Sequence, residues 1–139
     1  MGVVSLSVAV GHTTDLPDES RITTIAESVF SGEERAFESL SVVLADHETV
    51  LALNREWLDH DWHTDVISFL LEEDPIDGEV YVDVETAAER HAEFDTSLTQ
   101  EVERYVIHGI LHLCGYDDAT DEERAHMRSL EDRYLAELN

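Results

Sequence analysis

His108 and His112 stand four residues apart, in a stretch where apolar residues recur at Val102, Val106, Ile110 and Leu113, with Tyr105, Ile107 and Leu111 between them. That recurrence predicts a helix. On a helix, residues four apart share one face, about 6 Å apart along the axis. Gly115 follows as a terminator able to take the left-handed conformation after a last turn, and Asp118 comes as the chain turns back. Two imidazoles and one carboxylate at one point make a three-ligand zinc site with a position left for water. Histidines four apart also arise by chance in many helices. Here the helix is otherwise apolar, where an unpaired imidazole is costly to bury, and it stops just after the second histidine, before an acidic residue. Asp117 is adjacent, and spacing alone does not separate it from Asp118.

The run from His108 to Asp118 reads His-Gly-Ile-Leu-His-Leu-Cys-Gly-Tyr-Asp-Asp. It resembles the signature of the YbeY family of zinc-dependent endoribonucleases, His-Gly-x-Leu-His-Leu-x-Gly-Tyr-Asp-His. The pattern is met from His108 through Asp117 and departs at Asp118, where the family usually has a third histidine. The resemblance extends to Leu53-Asn54, to Thr64-Asp65-Val66-Ile67-Ser68-Phe69 and to Gly78-Glu79-Val80. A second departure is Leu58, which stands where the family segment Leu-Asn-x-x-Tyr-Arg has an arginine thought to be catalytic or RNA-contacting. Arg55, one turn earlier, is a partial substitute or a surface ion-pair partner.

The resemblance implies one zinc ion per chain, held by His108 and His112 directly and by Asp118 through its position. The counterpart of Asp117 in the family is an aspartate that is not a ligand, which favours Asp118. The implied fold is one α/β domain over residues 1–139, with helices packed on a small mixed four-stranded sheet. The metal site then lies on a buried helix and the following turn. The implied activity is single-strand-specific hydrolysis of RNA phosphodiesters, in maturation of the 16S rRNA 3′ end and in ribosome quality control. The implied partners are single-stranded RNA, ribosomal RNA above all, and the ribosome or its small subunit. Two alternatives stand beside this: a ribosome-associated factor whose zinc is structural, and a metal-dependent hydrolase of another small phosphoester.

A bound zinc ion acidifies its water and polarises a phosphoryl oxygen, which suits a nuclease. A zincin peptidase would carry a glutamate base after the first histidine; Gly109 occupies that position. Gly109 also permits close approach of another segment or of substrate. The general base is open between the metal-activated water itself, Asp65 and His63, so the catalytic set is read as His108, Asp65 and His63. His60 and His63 lie in a loop-like region without regular spacing and compete poorly as ligands. His47, His91 and His126 read as surface residues.

At 139 residues the chain makes one domain with a modest core. It carries 33 acidic and 8 basic residues, all of the latter arginine, for a formal charge of −25. With 42% hydrophobic residues spread between the acids, this is a folded core under an acidic shell rather than a disordered tail. Such a shell repels itself at low ionic strength and is screened at high salt; a salt-rich cytoplasm, as in an extreme halophile, is the simplest setting. No basic stripe of the kind RNA binders carry is visible. In high salt the counterion-release term is small, so shape, stacking and metal contact would carry more of the affinity. Trp57, Trp62 and Tyr116 are candidates to stack on bases or to pack at the core rim. The lone Cys114 excludes an internal disulfide and reads as a small buried hydrophobe. No signal peptide or membrane span is visible, so cytoplasmic residence without membrane contact is the expectation; the oligomeric state is left open, with a monomer as the first expectation.

The elements that must position these residues follow from pattern. Val4, Leu6, Val8 and Val10 alternate as a strand. Asp18 caps a helix with the stripe Ile22, Ile25, Ala26 and Val29, ended by Gly32. Residues 41–45 form a second strand, and a short helix opens at His47. Val66, Ile67, Phe69, Leu70 and Leu71 predict a central strand. A turn through Pro75 and Gly78 follows. Val80, Val82 and Val84 then alternate in an edge strand, with Tyr81 and Asp83 towards solvent or a cleft. Residues 85–93 form a polar helix. Ser97 with Gln100, and Thr120 with Glu123, have the capping-box spacing. The second box opens a helix with the stripe Met127, Leu130, Tyr134 and Leu138. Strands alternating with helices predict a small α/β fold.

Overall fold

A computed structural model describes residues 2–9, 16–57, 65–90 and 97–138, without the side chains of Trp57 and Arg90. The elements run β1 (Val3–Val8), α1 (Glu19–Gly32), β2 (Phe37–Ala45), α2 (His47–Trp57), β3 (Val66–Glu73), β4 (Ile76–Asp83), α3 (Val84–Arg90), α4 (Leu98–Leu113) and α5 (Asp121–Leu138). The four strands form one mixed sheet in the order β1-β2-β4-β3. β1 pairs parallel with β2, with Val4 opposite Leu40 and Leu6 opposite Val42. β2 pairs parallel with β4, with Val42 opposite Val80 and Leu44 opposite Val82. β3 and β4 form an antiparallel hairpin closed at a cis Asp74-Pro75 bond.

The hairpin corrects the expected strand order. β3 lies at the sheet edge, and β4 returns inside it, between β2 and β3. The apolar run Val66–Leu71 does not mark a strand with two neighbours: Leu70 and Leu71 are 47% and 56% exposed. The alternation in β4 does not mark a strand with one wet face either. Val80 and Val82 enter the main core, while Tyr81 packs beside Ala45, Val50 and Ile67 in a smaller cluster on the other face. Alternation reports two faces, and both are covered here.

α1 and α4 share the main core with the sheet. The expected stripe of α1, Ile22, Ile25, Ala26 and Val29, is fully buried, and Asp18 caps the helix by accepting from Arg21 N. α1 runs through Gly32 and ends at Glu33. Ten residues of α4 are buried, among them Val102, Val106, Ile110 and Leu113. At about 1.5–3 kcal/mol per large apolar side chain removed from water, that face anchors α4 far more firmly than helix propensity could. On α5, Met127 and Tyr134 are buried, with Leu130 and Leu138 half-buried against the same core.

Candidate metal centre

The site is built on α4 and the turn behind it. The helix starts at a complete capping box: Gln100 N donates to Ser97 Oγ, and Ser97 N donates to the Gln100 side chain. It is seated at Gly109, where a Cβ would stand 2.5 Å from Val80 Cγ1 and 3.1 Å from Ser68 Oγ. Ser68 Oγ also donates to the Gly109 carbonyl at 2.8 Å. The close approach that Gly109 permits is therefore to the sheet. Seating this side of α4 turns His108 and His112 to its flank, half-buried.

The helix ends in a Schellman motif. Gly115 has φ +104, Gly115 N donates to His112 O, and Tyr116 N donates to Leu111 O. Arg35 donates to the Cys114 carbonyl at 2.9 Å, satisfying one more group at this end. Tyr116 and Tyr134 both donate to Glu33, which fastens the turn to the ends of α1 and α5. Those bonds, with burial, raise both phenol pKa values; at Tyr116 the Glu33 bond is the leading cause, at Tyr134 burial is. The second capping box, Thr120 with Glu123, then starts α5, and Arg124 donates to the carbonyls of Asp118 and Ala119. The turn that delivers Asp118 is thus fixed at both ends.

The result is a triangle of donors. His108 Nε2 and His112 Nε2 are 3.0 Å apart, and Asp118 Oδ2 lies 3.2 Å from the first and 3.5 Å from the second. A tetrahedral ion with ligand bonds of 2.0–2.1 Å requires donors about 3.3 Å apart, so the three atoms fit zinc in type and spacing. All three side chains keep partial access to water, at 19%, 26% and 41%. His112 also lies in the last turn of α4, where the helix dipole favours a cation. Among the described residues, His108, His112 and Asp118 are the one group of three that could hold a metal ion. Asp117 is exposed and outside it.

Behind the triangle stands a second set of contacts that the sequence reading missed. Glu131 Oε2 is 2.7 Å from His108 Nδ1. The other oxygen of Glu131 takes a bond of 2.9 Å from Arg104, which also reaches Asp132 at 2.6 Å. Glu131 is 5% exposed. The signal was present: Glu131 lies between Met127 and Tyr134 at helical spacing, a charge inside an apolar stripe.

Asp65 stands at the head of β3, where its carbonyl accepts from Asp83 N at 2.9 Å, and is not one of the three donors. Leu58, His60, Trp62, His63 and His91 fall outside the described residues. His126 is exposed, its ring 5.6 Å from that of Tyr116. Cys114 is half-buried against the core, and burial pushes its thiol up to about 11, which makes it a poor nucleophile at neutral pH. His47 is more than a surface residue: its Nδ1 is 2.8 Å from Oδ2 of the fully buried Asp83, which also accepts from Thr86 N and Thr86 Oγ1.

Comparison with known proteins agrees with this arrangement. The family model described as endoribonuclease YbeY matches residues 11–139. An endoribonuclease YbeY of Salinibacter ruber is 47% identical over 140 residues, covering 94% of this chain and 89% of the relative. That of Chloroherpeton thalassium is 35% identical over 136 residues, covering 96% of each. A Thermotoga maritima protein solved in solution superposes with a TM-score of 0.67 at 28% identity, over 98% of this chain and 89% of its own.

Proposed function

The chain belongs to the endoribonuclease YbeY family, and on that premise we propose that it is a zinc-dependent endoribonuclease that cleaves single-stranded RNA, ribosomal RNA foremost. The observation that carries the reading is the donor triangle of His108, His112 and Asp118, matched to a tetrahedral ion and open to water. When bound there, zinc would supply an acidified water and a Lewis acid for a phosphoryl oxygen. The protein's own part is to hold three donors on a buried helix and a capped turn, so that little rearrangement is needed at the moment of reaction. His63 and Asp65 stay the candidates for a proton acceptor. The proposed setting is the cytoplasm, at the small ribosomal subunit, in 16S rRNA 3′-end maturation and ribosome quality control; no described helix is long and apolar enough to cross a membrane.

A structural zinc would be closed by four protein ligands, and the described residues bring three together. The test is zinc stoichiometry by elemental analysis beside cleavage of single-stranded RNA and of a small phosphoester, with and without chelator. We expect one zinc per chain and chelator-sensitive RNA cleavage without ester turnover. Zinc retained with no RNA cleaved at any salt concentration would point to the structural role, and ester turnover alone to a small-substrate hydrolase.

A further inference from the structure

The structure assigns Glu131 and Arg104 as positioning residues of the metal centre: Glu131 fixes His108 with its proton on Nδ1, so that Nε2 is the nitrogen offered to the ion. This rests on the metal reading above and adds two residues to it. An imidazole has two nitrogens, and which one binds is set by the hydrogen bond the other makes. At His108 that bond is the 2.7 Å contact between Nδ1 and Glu131 Oε2. An ionised carboxylate only accepts, so His108 must donate from Nδ1. Nε2 is then left with a lone pair, 3.0 Å from His112 Nε2 and 3.2 Å from Asp118 Oδ2.

Glu131 is placed to do this by its burial and its partners. It is 5% exposed, on the buried stripe of α5 between Met127 and Tyr134. A carboxylate so buried needs a compensating partner. Arg104, 14% exposed in its side chain, provides it and is itself pulled towards Asp132. Arg104 and His108 are one helical turn apart on α4, and Glu131 and Asp132 are neighbours on α5. The network therefore locks two helices together and aims one ring. A histidine ligand oriented by a carboxylate is also a better electron donor, and loss of such a partner costs about 10- to 100-fold in metal affinity or activity.

The test is Glu131→Gln in the full chain, with Glu122→Gln on the exposed start of α5 as a charge-matched control. Zinc affinity is measured by competition with a chromogenic chelator. The protonation of His108 is read in the zinc-loaded proteins by nitrogen-15 NMR of the imidazoles. We expect Glu131→Gln to weaken zinc about 10- to 100-fold and Glu122→Gln to leave it unchanged. In wild type the Nδ1 proton of His108 should be visible and slow to exchange, and in Glu131→Gln it should exchange faster. Arg104→Lys, which keeps the charge but not the two-carboxylate fork, should weaken zinc less than Glu131→Gln. Should Glu131→Gln fail to fold, the wild-type spectrum and Arg104→Lys decide. Unchanged zinc affinity in folded Glu131→Gln, or His108 coordinating through Nδ1 in wild type, overturns the assignment and leaves the metal reading intact. A wild type that binds no zinc overturns both.

Discussion

Asp118 is the residue at which this chain parts from the usual three-histidine pattern, and its carboxylate lies with the two imidazoles in the one described group that could hold a metal ion. Its Oδ2 completes a triangle with two Nε2 atoms, while Asp117, one residue earlier, is exposed. Asp118→Ala should therefore lose most bound zinc and nearly all RNA cleavage, and Asp117→Ala should keep much of both. Asp118→His should retain the metal. Elemental analysis and a cleavage assay in high salt check all three, and full zinc occupancy in Asp118→Ala would remove the residue from the site. The cluster of three donors was legible in the sequence because its members lie within eleven consecutive residues and helix geometry does the rest. Glu131 was not, because its partner His108 is 23 positions away on another helix. Its placement depends on how α4 and α5 cross, which no local spacing encodes.

At the scale of elements, the helices were read better than the sheet. Capping boxes at Ser97 and Thr120 are local chemistry between residues three apart, and both form as the spacing predicts. Strand order is not local. The hairpin at Asp74-Pro75 puts β4 inside the sheet and β3 at its edge, and neither strand's own pattern names its neighbours. The seat of α4 on that sheet gives a prediction. Alanine at position 109 would gain up to about 1 kcal/mol in helix propensity, yet its Cβ would meet Val80 at 2.5 Å. Overpacking of a well-filled core costs about 1–3 kcal/mol, so Gly109→Ala should destabilise the fold in a denaturant melt and loosen zinc. A more stable Gly109→Ala would mean that α4 is not seated there.

A second element contact gives a pH signature. The side-chain bond from His47 to Asp83 raises the pKa of His47, aided by the charges of Asp83, Glu85 and Glu89 and opposed by burial. A folded pKa above the unfolded value of about 6.5 contributes stability that is complete below that pH. The contribution fades as pH rises through the higher folded value. Thermal melts of wild type and His47→Asn should differ most below about pH 6.5 and converge as pH rises through the higher folded value. A difference that stays constant with pH would show that the imidazole is not charged against Asp83.

The whole molecule is set by its charge of −25. At least five of the eight arginines have structural partners among the described residues. Arg21 pairs with Glu103, Arg104 with Glu131 and Asp132, Arg124 with Asp121 and Arg133 with Glu137, while Arg35 caps Cys114. Arginines already paired with carboxylates are weaker candidates for phosphate contacts, so the net acidic charge opposes both the compact state and RNA. Salt acts on both terms. Screening shortens from about 10 Å at 0.1 M to about 3 Å at 1 M, which relieves self-repulsion in the folded state more than in the expanded chain. Melting temperature should therefore rise with potassium chloride over that range. RNA binding should differ in kind from that of a basic nuclease. With few phosphate contacts to release counterions, its affinity should fall little with salt, and should rise where screening removes net repulsion. Melts and fluorescence anisotropy with a labelled single-stranded RNA across the same salt series read both. Equal melting temperatures at low and molar salt would defeat the acidic-shell argument. A steep loss of RNA affinity with salt would instead show that a cationic path to the metal centre exists.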